Sequence, residues 1–151
     1  MKQPGSEPVV IGWKEFVDFP EWHLHAIKAK IDTGARTSAL GVTSYELREA
    51  DGAGLVAELR LALDRKRPER LTRIQTPVLK MVVVRNSGGT PEQRPLIEAE
   101  IRLGQVSRRV HLTVANRAAM RFRMILGRKA LEGAFVVDVS RKYLLGRPSR
   151  R

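Results

Sequence analysis

The sequence predicts an all-β domain, and three observations carry that prediction. Apolar and polar residues alternate with period two through several runs, glycine- and proline-bearing turns separate those runs, and helix signals are scarce. In the run after His25, Ile27, Ala29 and Ile31 fall on one face while Lys28 and Lys30 fall on the other. Leu55, Ala57, Leu59, Leu61 and Leu63 alternate with Val56, Glu58, Arg60 and Ala62. Ile97, Ala99, Ile101 and Leu103 alternate with Glu98, Glu100 and Arg102. Val106, Arg108, Val110, Leu112 and Val114 form a mostly apolar face opposite Ser107, Arg109, His111 and Thr113.

Turn chemistry sets the ends of these runs. Leu103-Gly104-Gln105-Val106 reads as a tight hairpin turn. Asp51-Gly52-Ala53-Gly54 reads as another turn, and Asp64 to Arg70 as a charged loop containing Pro68. Asn86-Ser87-Gly88-Gly89-Thr90-Pro91 is a glycine-rich tip between two extended arms, Lys80 to Arg85 and Arg94 to Leu103. The best helix candidate is short, Arg128 to Glu132, with Gly133 closing it. Ala118-Ala119-Met120 reads as one helical turn, and Phe135 to Val139 as a late strand. Short strands with turns between them imply a barrel or sandwich in one domain. That domain spans 9–143, with a loose leader at 1–8 and a basic tail at 144–151 that frays at its end.

Composition removes several function classes. The chain has 151 residues, 42% of them apolar, enough for a real core. Its lack of cysteine excludes disulfides, thiolate zinc sites and cysteine nucleophiles. No apolar run reaches the ~18 residues a membrane helix needs, and the start lacks the apolar segment of a secretory signal. The chain is therefore read as cytoplasmic, without a membrane partner. The net charge of +12 invites a nucleic-acid reading. The cations are scattered, however, and aromatics at 5% are too few for base stacking, so nucleic acid is disfavoured. An acidic protein partner stays open.

The chemistry-bearing segment is Lys30-Ile31-Asp32-Thr33-Gly34-Ala35-Arg36-Thr37-Ser38-Ala39-Leu40. An apolar strand delivers an aspartate into a tight turn, followed by a small hydroxyl residue and a glycine. Two such turns, if they meet, make a catalyst. Two carboxylates about 3 Å apart cannot both ionise, so they hold one proton between them. The ionised group is then a general base on water, and the protonated one polarises a carbonyl. Thr33 can bond across to the partner turn, and Gly34 permits close approach and offers its N–H to the carboxylate. Taken alone, the same tripeptide is an ordinary turn.

A second segment adds context. Phe122 to Leu131 is an apolar strand, then Gly127, then a helix start. Asp32-Thr33-Gly34-Ala35, a glycine-bearing hairpin at 86–90 and Ile125-Leu126-Gly127-Arg128 occur in the order found in retropepsin-like aspartic proteases. The chain resembles that family, and most closely a bacterial branch labelled ATP-dependent zinc protease and associated with enzymes that ligate glutamates onto a ribosomal protein. Ile11-Gly12-Trp13-Lys14-Glu15, Ile27 to Leu40, Ala115-Asn116-Arg117 with Met120, and Met124 to Arg128 carry the resemblance over nearly the full chain. It implies a retropepsin-like closed barrel with one short helix after Ile125-Leu126-Gly127. It implies Asp32, Thr33 and Gly34 as catalytic residues. Asn86, Ser87, Gly88 and Gly89 would be a flap over substrate, and Ala35, Arg36, Leu126, Gly127 and Arg128 would be structural support.

The branch's label finds no support in the residues. ATP use would want a GxxxxGK[ST] loop, and a zinc protease a ligand cluster such as HExxH; the sequence has neither. The pair His23-x-His25 would share a face at strand spacing, but two ligands are not a site, and His111 is distant in sequence. No cofactor is therefore expected. Two departures from pattern stand out. Gly41 occupies the position after Thr37-Ser38-Ala39-Leu40 where the family often has a histidine. Arg36 stands where viral members place an acid that pairs with the later arginine, although a cation is usual in the bacterial branch. Arg36 and Arg128 cannot pair, so each would need its own acid, such as Asp138, Glu132 or a carboxylate from a second chain.

Only one Asp-Thr-Gly or Asp-Ser-Gly occurs. An aspartic dyad then requires a two-fold homodimer acting on a peptide or protein substrate. The alternative is a catalytically silent binding module that regulates the ribosomal-protein glutamylation system through an acidic or ribosomal partner.

Overall fold

Period-two patterning becomes strand, except that the run read from Leu55 to Leu63 stops being strand at Leu61. The computed structural model describes residues 7–52, 54–85, 88–116 and 122–147. Contacts divide the chain into two compact units, the first comprising 1–39, 99–111 and 122–151, the second 40–98 and 112–121.

The first unit begins with β1 (Val9–Gly12) and β2 (Lys14–Phe19). A 3-10 turn at Pro20–Trp22 leads into β3 (Leu24–Ile31), which pairs antiparallel with β2. Ile27, Ala29 and Ile31 are buried and Lys28 and Lys30 exposed, as the alternation requires. The pattern breaks at Ala26, a bulge with φ 55° whose N–H donates to Asp18 Oδ1 at 2.8 Å. Because of that bulge both Leu24 and Ile27 turn inward.

In the second unit, Leu40–Val42 completes β4 (Ser38–Val42), and β5 (Ser44–Ala50), β6 (Gly54–Leu61) and β7 (Thr72–Pro77) form a three-stranded antiparallel sheet. Leu59 and Leu61 are fully buried. On the outer face Arg60 bonds Glu46 and Glu58, and those hydrogen bonds raise its pKa further. Then β8 (Lys80–Arg85) pairs with the start of β9 (Pro91–Leu103), from Lys80 opposite Leu96 to Arg85 opposite Pro91. The second hairpin arm thus begins at Pro91, three residues before the Arg94 start read from sequence. Proline is tolerated as a strand's first residue because no ladder bond is asked of its nitrogen.

The chain re-enters the first unit along β9, turns at Gly104 with φ 56°, and returns in β10 (Val106–Asn116). Ile97, Ala99, Ile101 and Leu103 are all buried. The residues after Asn116 that were read as a helical turn, 118–120, lie outside the described residues. Next come β11 (Met124–Leu126), parallel to β3, then α1 (Arg128–Leu131), then β12 (Phe135–Asp138), parallel to β1. Gly133 takes φ 76° just past the helix. β12 stops one residue earlier than read, since Asp138 Oδ1 accepts the Ser140 N–H and O–H and turns the chain.

Six strands pair in the closed order β10-β4-β11-β3-β2-β9, with β9 returning to β10. The fold is all-β with one four-residue α-helix among the described residues, and the helix follows Ile125-Leu126-Gly127. Among the described residues no helix is long and apolar enough to cross a membrane.

Candidate functional site

Asp32 sits where β3 stops being a strand. The Ile31 N–H donates to Trp13 O at 2.8 Å, and the Asp32 N–H donates to Leu126 O at 2.8 Å, so the last two rungs are held from both sides. The chain then turns, with the Ala35 N–H on Asp32 O at 3.1 Å. Inside that turn the Gly34 N–H donates to Asp32 Oδ1 at 3.1 Å and fixes the carboxylate's direction. A Cβ at residue 34 would lie 3.2 Å from that oxygen, so glycine leaves the carboxylate its room. Asp32 is half-buried, and Thr33 and Gly34 are exposed.

The segment after β11 braces the turn from the other side. Arg128 N–H donates to Ala35 O at 2.7 Å, and Lys129 N–H to Arg36 O at 3.1 Å. Gly127 N–H donates to the buried Ser38 Oγ at 3.0 Å. Gly127 is dictated by approach distance: a Cβ there would stand 2.5 Å from Thr37 O and 2.8 Å from Ala35 O, both backbone atoms that cannot swing away. Leu126, Gly127, Arg128, Ala35 and Arg36 are thus brought to one place, and all five take part through main-chain atoms.

The expectation that Arg128 needs an acid is corrected. Its guanidinium donates to Thr33 O at 2.9 Å, a neutral carbonyl at the turn's apex. A carbonyl suffices because both groups stay partly hydrated, so no buried charge demands compensation. Arg36 is exposed, and among the described residues it has no carboxylate partner. Asp138 is turned toward Ser140, and those bonds hold its carboxyl below the usual range.

Other residues read as candidates fall elsewhere. Asn86 and Ser87 lie outside the described residues. Gly88 and Gly89 are exposed at the β8–β9 tip, Gly89 with φ 82°, and Arg85 donates to Gly89 O at 2.9 Å. Strand spacing does not apply to His23, which caps the 3-10 turn with φ 54° and precedes β3. Among the described residues no three His, Asp or Glu side chains gather as a metal site would require. Gly41 is buried within β4.

Two residues escaped the sequence reading. Ser38, at the start of β4, supplies the hydroxyl for Gly127. Glu15, fully buried in β2, takes three main-chain N–H donors. Its signal was available: Glu15, Val17 and Phe19 share the inward parity of one strand.

Three relatives named probable alpha-L-glutamate ligase match this chain. The one from Desulfotalea psychrophila is 35% identical over 143 residues, that from Parasynechococcus marenigrum 36% over 141, and that from Shewanella pealeana 33% over 137. The alignments take in 91 to 93% of this chain but 30% of each relative, so the chain spans under a third of their length. A crystal structure of a Legionella pneumophila protein of unknown function superposes with a TM-score of 0.74, covering 92% of this chain and 99% of that one at 19% identity, which marks a shared fold. The model of the RimB-like family, described as retropepsin-like aspartic endopeptidase RimB, matches residues 10–148. With the Asp32 turn and its 126–129 brace on that barrel, the chain belongs to the RimB-like family of retropepsin-like aspartic endopeptidases.

Proposed function

We propose that this chain is one protomer of an aspartic endopeptidase whose catalytic pair is Asp32 from each of two copies. The observation that carries the reading is the presentation of Asp32. Its turn is exposed at Thr33 and Gly34, yet main-chain bonds from 126–129 hold it, and rigid support under an open carboxylate is what catalysis needs. One copy brings one such turn, so the partner must be a second copy.

In this reading the two carboxyl groups share one proton. The ionised group takes a proton from water as the water oxygen attacks the scissile carbonyl carbon. The other group donates its proton to the carbonyl oxygen, giving a neutral diol. Collapse of the diol breaks the C–N bond, the amine leaves with a proton from one carboxyl, and the other regains its own from the diol. Thr33 and Gly34 fix the carboxylates, and Arg128 fixes Thr33 through its carbonyl. By resemblance to the family, residues 86–89 are the proposed cover for an extended substrate.

The test is cleavage of a peptide library by wild type and by Asp32→Asn, run beside sedimentation. The reading expects cleavage by wild type, none by the variant, and a dimer at least with substrate. Unchanged cleavage by the variant would sink it.

A second reading is favoured by two observations. This region makes up 30% of chains named for glutamate ligation, and this chain carries a net charge of +12. A silent module that binds an acidic, glutamate-bearing tail and regulates such a ligase fits both facts. It expects a monomer with or without peptide, and acidic-peptide binding indifferent to Asp32→Asn.

A further inference from the structure

Glu15 has no part in the chemistry above, yet it is the most enclosed carboxylate among the described residues, with no solvent exposure. A buried carboxylate persists only where its oxygens are fully bonded. Oε2 accepts the Gly12 N–H at 2.7 Å and the Leu144 N–H at 2.9 Å, and Oε1 accepts the Leu145 N–H at 3.2 Å. These donors come from opposite ends of the chain, so the side chain joins two remote segments.

The joined segment, residues 141–147, is a strap across the corner between β1 and β2. Trp13 N–H donates to Arg141 O at 2.8 Å, and Tyr143 N–H to Lys14 O at 2.9 Å. The Tyr143 ring stacks on Phe16 with centroids 4.5 Å apart, and the Lys14 ammonium lies over both Trp13 and Tyr143. Contact at Gly12 is so close that a Cβ there would meet Lys142 Cα at 2.6 Å. The corner then reaches the catalytic strand: Trp13 O accepts the N–H of Ile31, the residue before Asp32.

We propose that Glu15 is a positioning residue for the Asp32 turn. It clamps the 141–147 strap onto the Gly12–Lys14 corner and so sets the Trp13 carbonyl that holds the end of β3. The kinetic consequence rests on the peptidase reading; the structural consequence does not.

The test uses the full chain with Glu15→Gln, which keeps the shape but turns an amide NH2 toward a main-chain donor. Amide exchange at Leu144, Leu145, Ile31 and Asp32 should quicken together by roughly tenfold, while Leu59 in the other unit stays as in wild type. Peptide cleavage should lose about tenfold in kcat with KM within about twofold. Faster exchange at Leu144 and Leu145 with Ile31 and Asp32 unmoved would overturn the proposal, leaving Glu15 as an anchor for the strap alone. A coupled exchange pattern with unchanged kcat would overturn it too. Tyr143→Ala, which loosens the strap and leaves the carboxylate in place, gives the same readout if Glu15→Gln does not fold. Should wild type cleave no peptide, the peptidase reading fails, and the exchange pattern still decides whether Glu15 positions the turn.

Discussion

Asp32 and Glu15 carry the same functional group in opposite settings. Asp32 is half-buried on a turn, and its carboxylate takes one amide donor, Gly34, from that turn; among the described residues Oδ2 takes none. Glu15 is sealed, and its two oxygens take three amides from segments far apart in sequence. On the proposed function, the difference separates a reactive carboxylate from a structural one. A reactive group keeps an open lone pair and water access on a rigid support. A structural group gives both of its oxygens to donors of the protein.

Substitutions can break or sharpen that contrast, and the largest effect belongs to Asp32. Asp32→Asn should lower kcat/KM by at least about 10³-fold, or ~4 kcal/mol in the transition state, while the thermal midpoint stays within a few degrees. A large stability loss without loss of turnover would invert the roles of the two carboxylates. Glu15→Ala should act chiefly on stability, with a smaller loss of turnover than Asp32→Asn. It strands buried N–H donors at about 1–3 kcal/mol each, so urea unfolding should show a loss of about 3 kcal/mol or more. A loss under about 1 kcal/mol would show that water replaces the carboxylate, and the site is not sealed. Gly127→Ala tests the brace. It presses a methyl against two carbonyls and should cost about 2 kcal/mol in the same measurement, with turnover falling as the turn shifts.

The smallest effect belongs to a third kind of carboxylate, exposed and paired. Glu21 accepts the Glu100 N–H and the Arg109 guanidinium, and those bonds hold its pKa below the ordinary 4.5. A depressed folded-state value means that the unfolded chain binds the proton first. The contribution is therefore present above about pH 4.5 and fades as pH falls through the folded value. With the side chain 46% exposed it amounts to about 0.5 kcal/mol. Thermal midpoints from pH 6 to about 3 should converge for Glu21→Gln and wild type at the acid end. Curves that stay parallel over that range would mean the pairing contributes nothing.

What could be read from the sequence follows the physics of each element. Ile97 to Leu103 was legible because a strand with one wet face writes its parity into its residues. β5, Ser44-Tyr45-Glu46-Leu47-Arg48-Glu49-Ala50, was not, because no residue in it is buried and neither face carries an apolar stripe. The parallel pairing of β1 with β12 joins the two ends of the chain, which no local pattern reports. Asp32, Gly34 and Gly127 were found through motif order, and their packing supplies the reason for that order. The Arg128–Thr33 bond was missed because charge bookkeeping looked for an acid and the partner was a carbonyl. Glu15 was quoted only as part of the resemblance, although its parity pointed inward.

The parallel β1–β12 pair has a mechanical consequence. Val9 faces Phe135 at one end of the pair and Gly12 faces Asp138 at the other. Tension applied to the two ends of the chain pulls β1 from its Val9 end and, once the 141–147 strap lets go, β12 from its Asp138 end. These lie at opposite ends of the ribbon, so every rung is loaded at once in shear instead of unzipping one by one. In a single-molecule pulling trace the release of this pair should appear as one abrupt rip, and a gradual plateau would show that the rungs fail in turn.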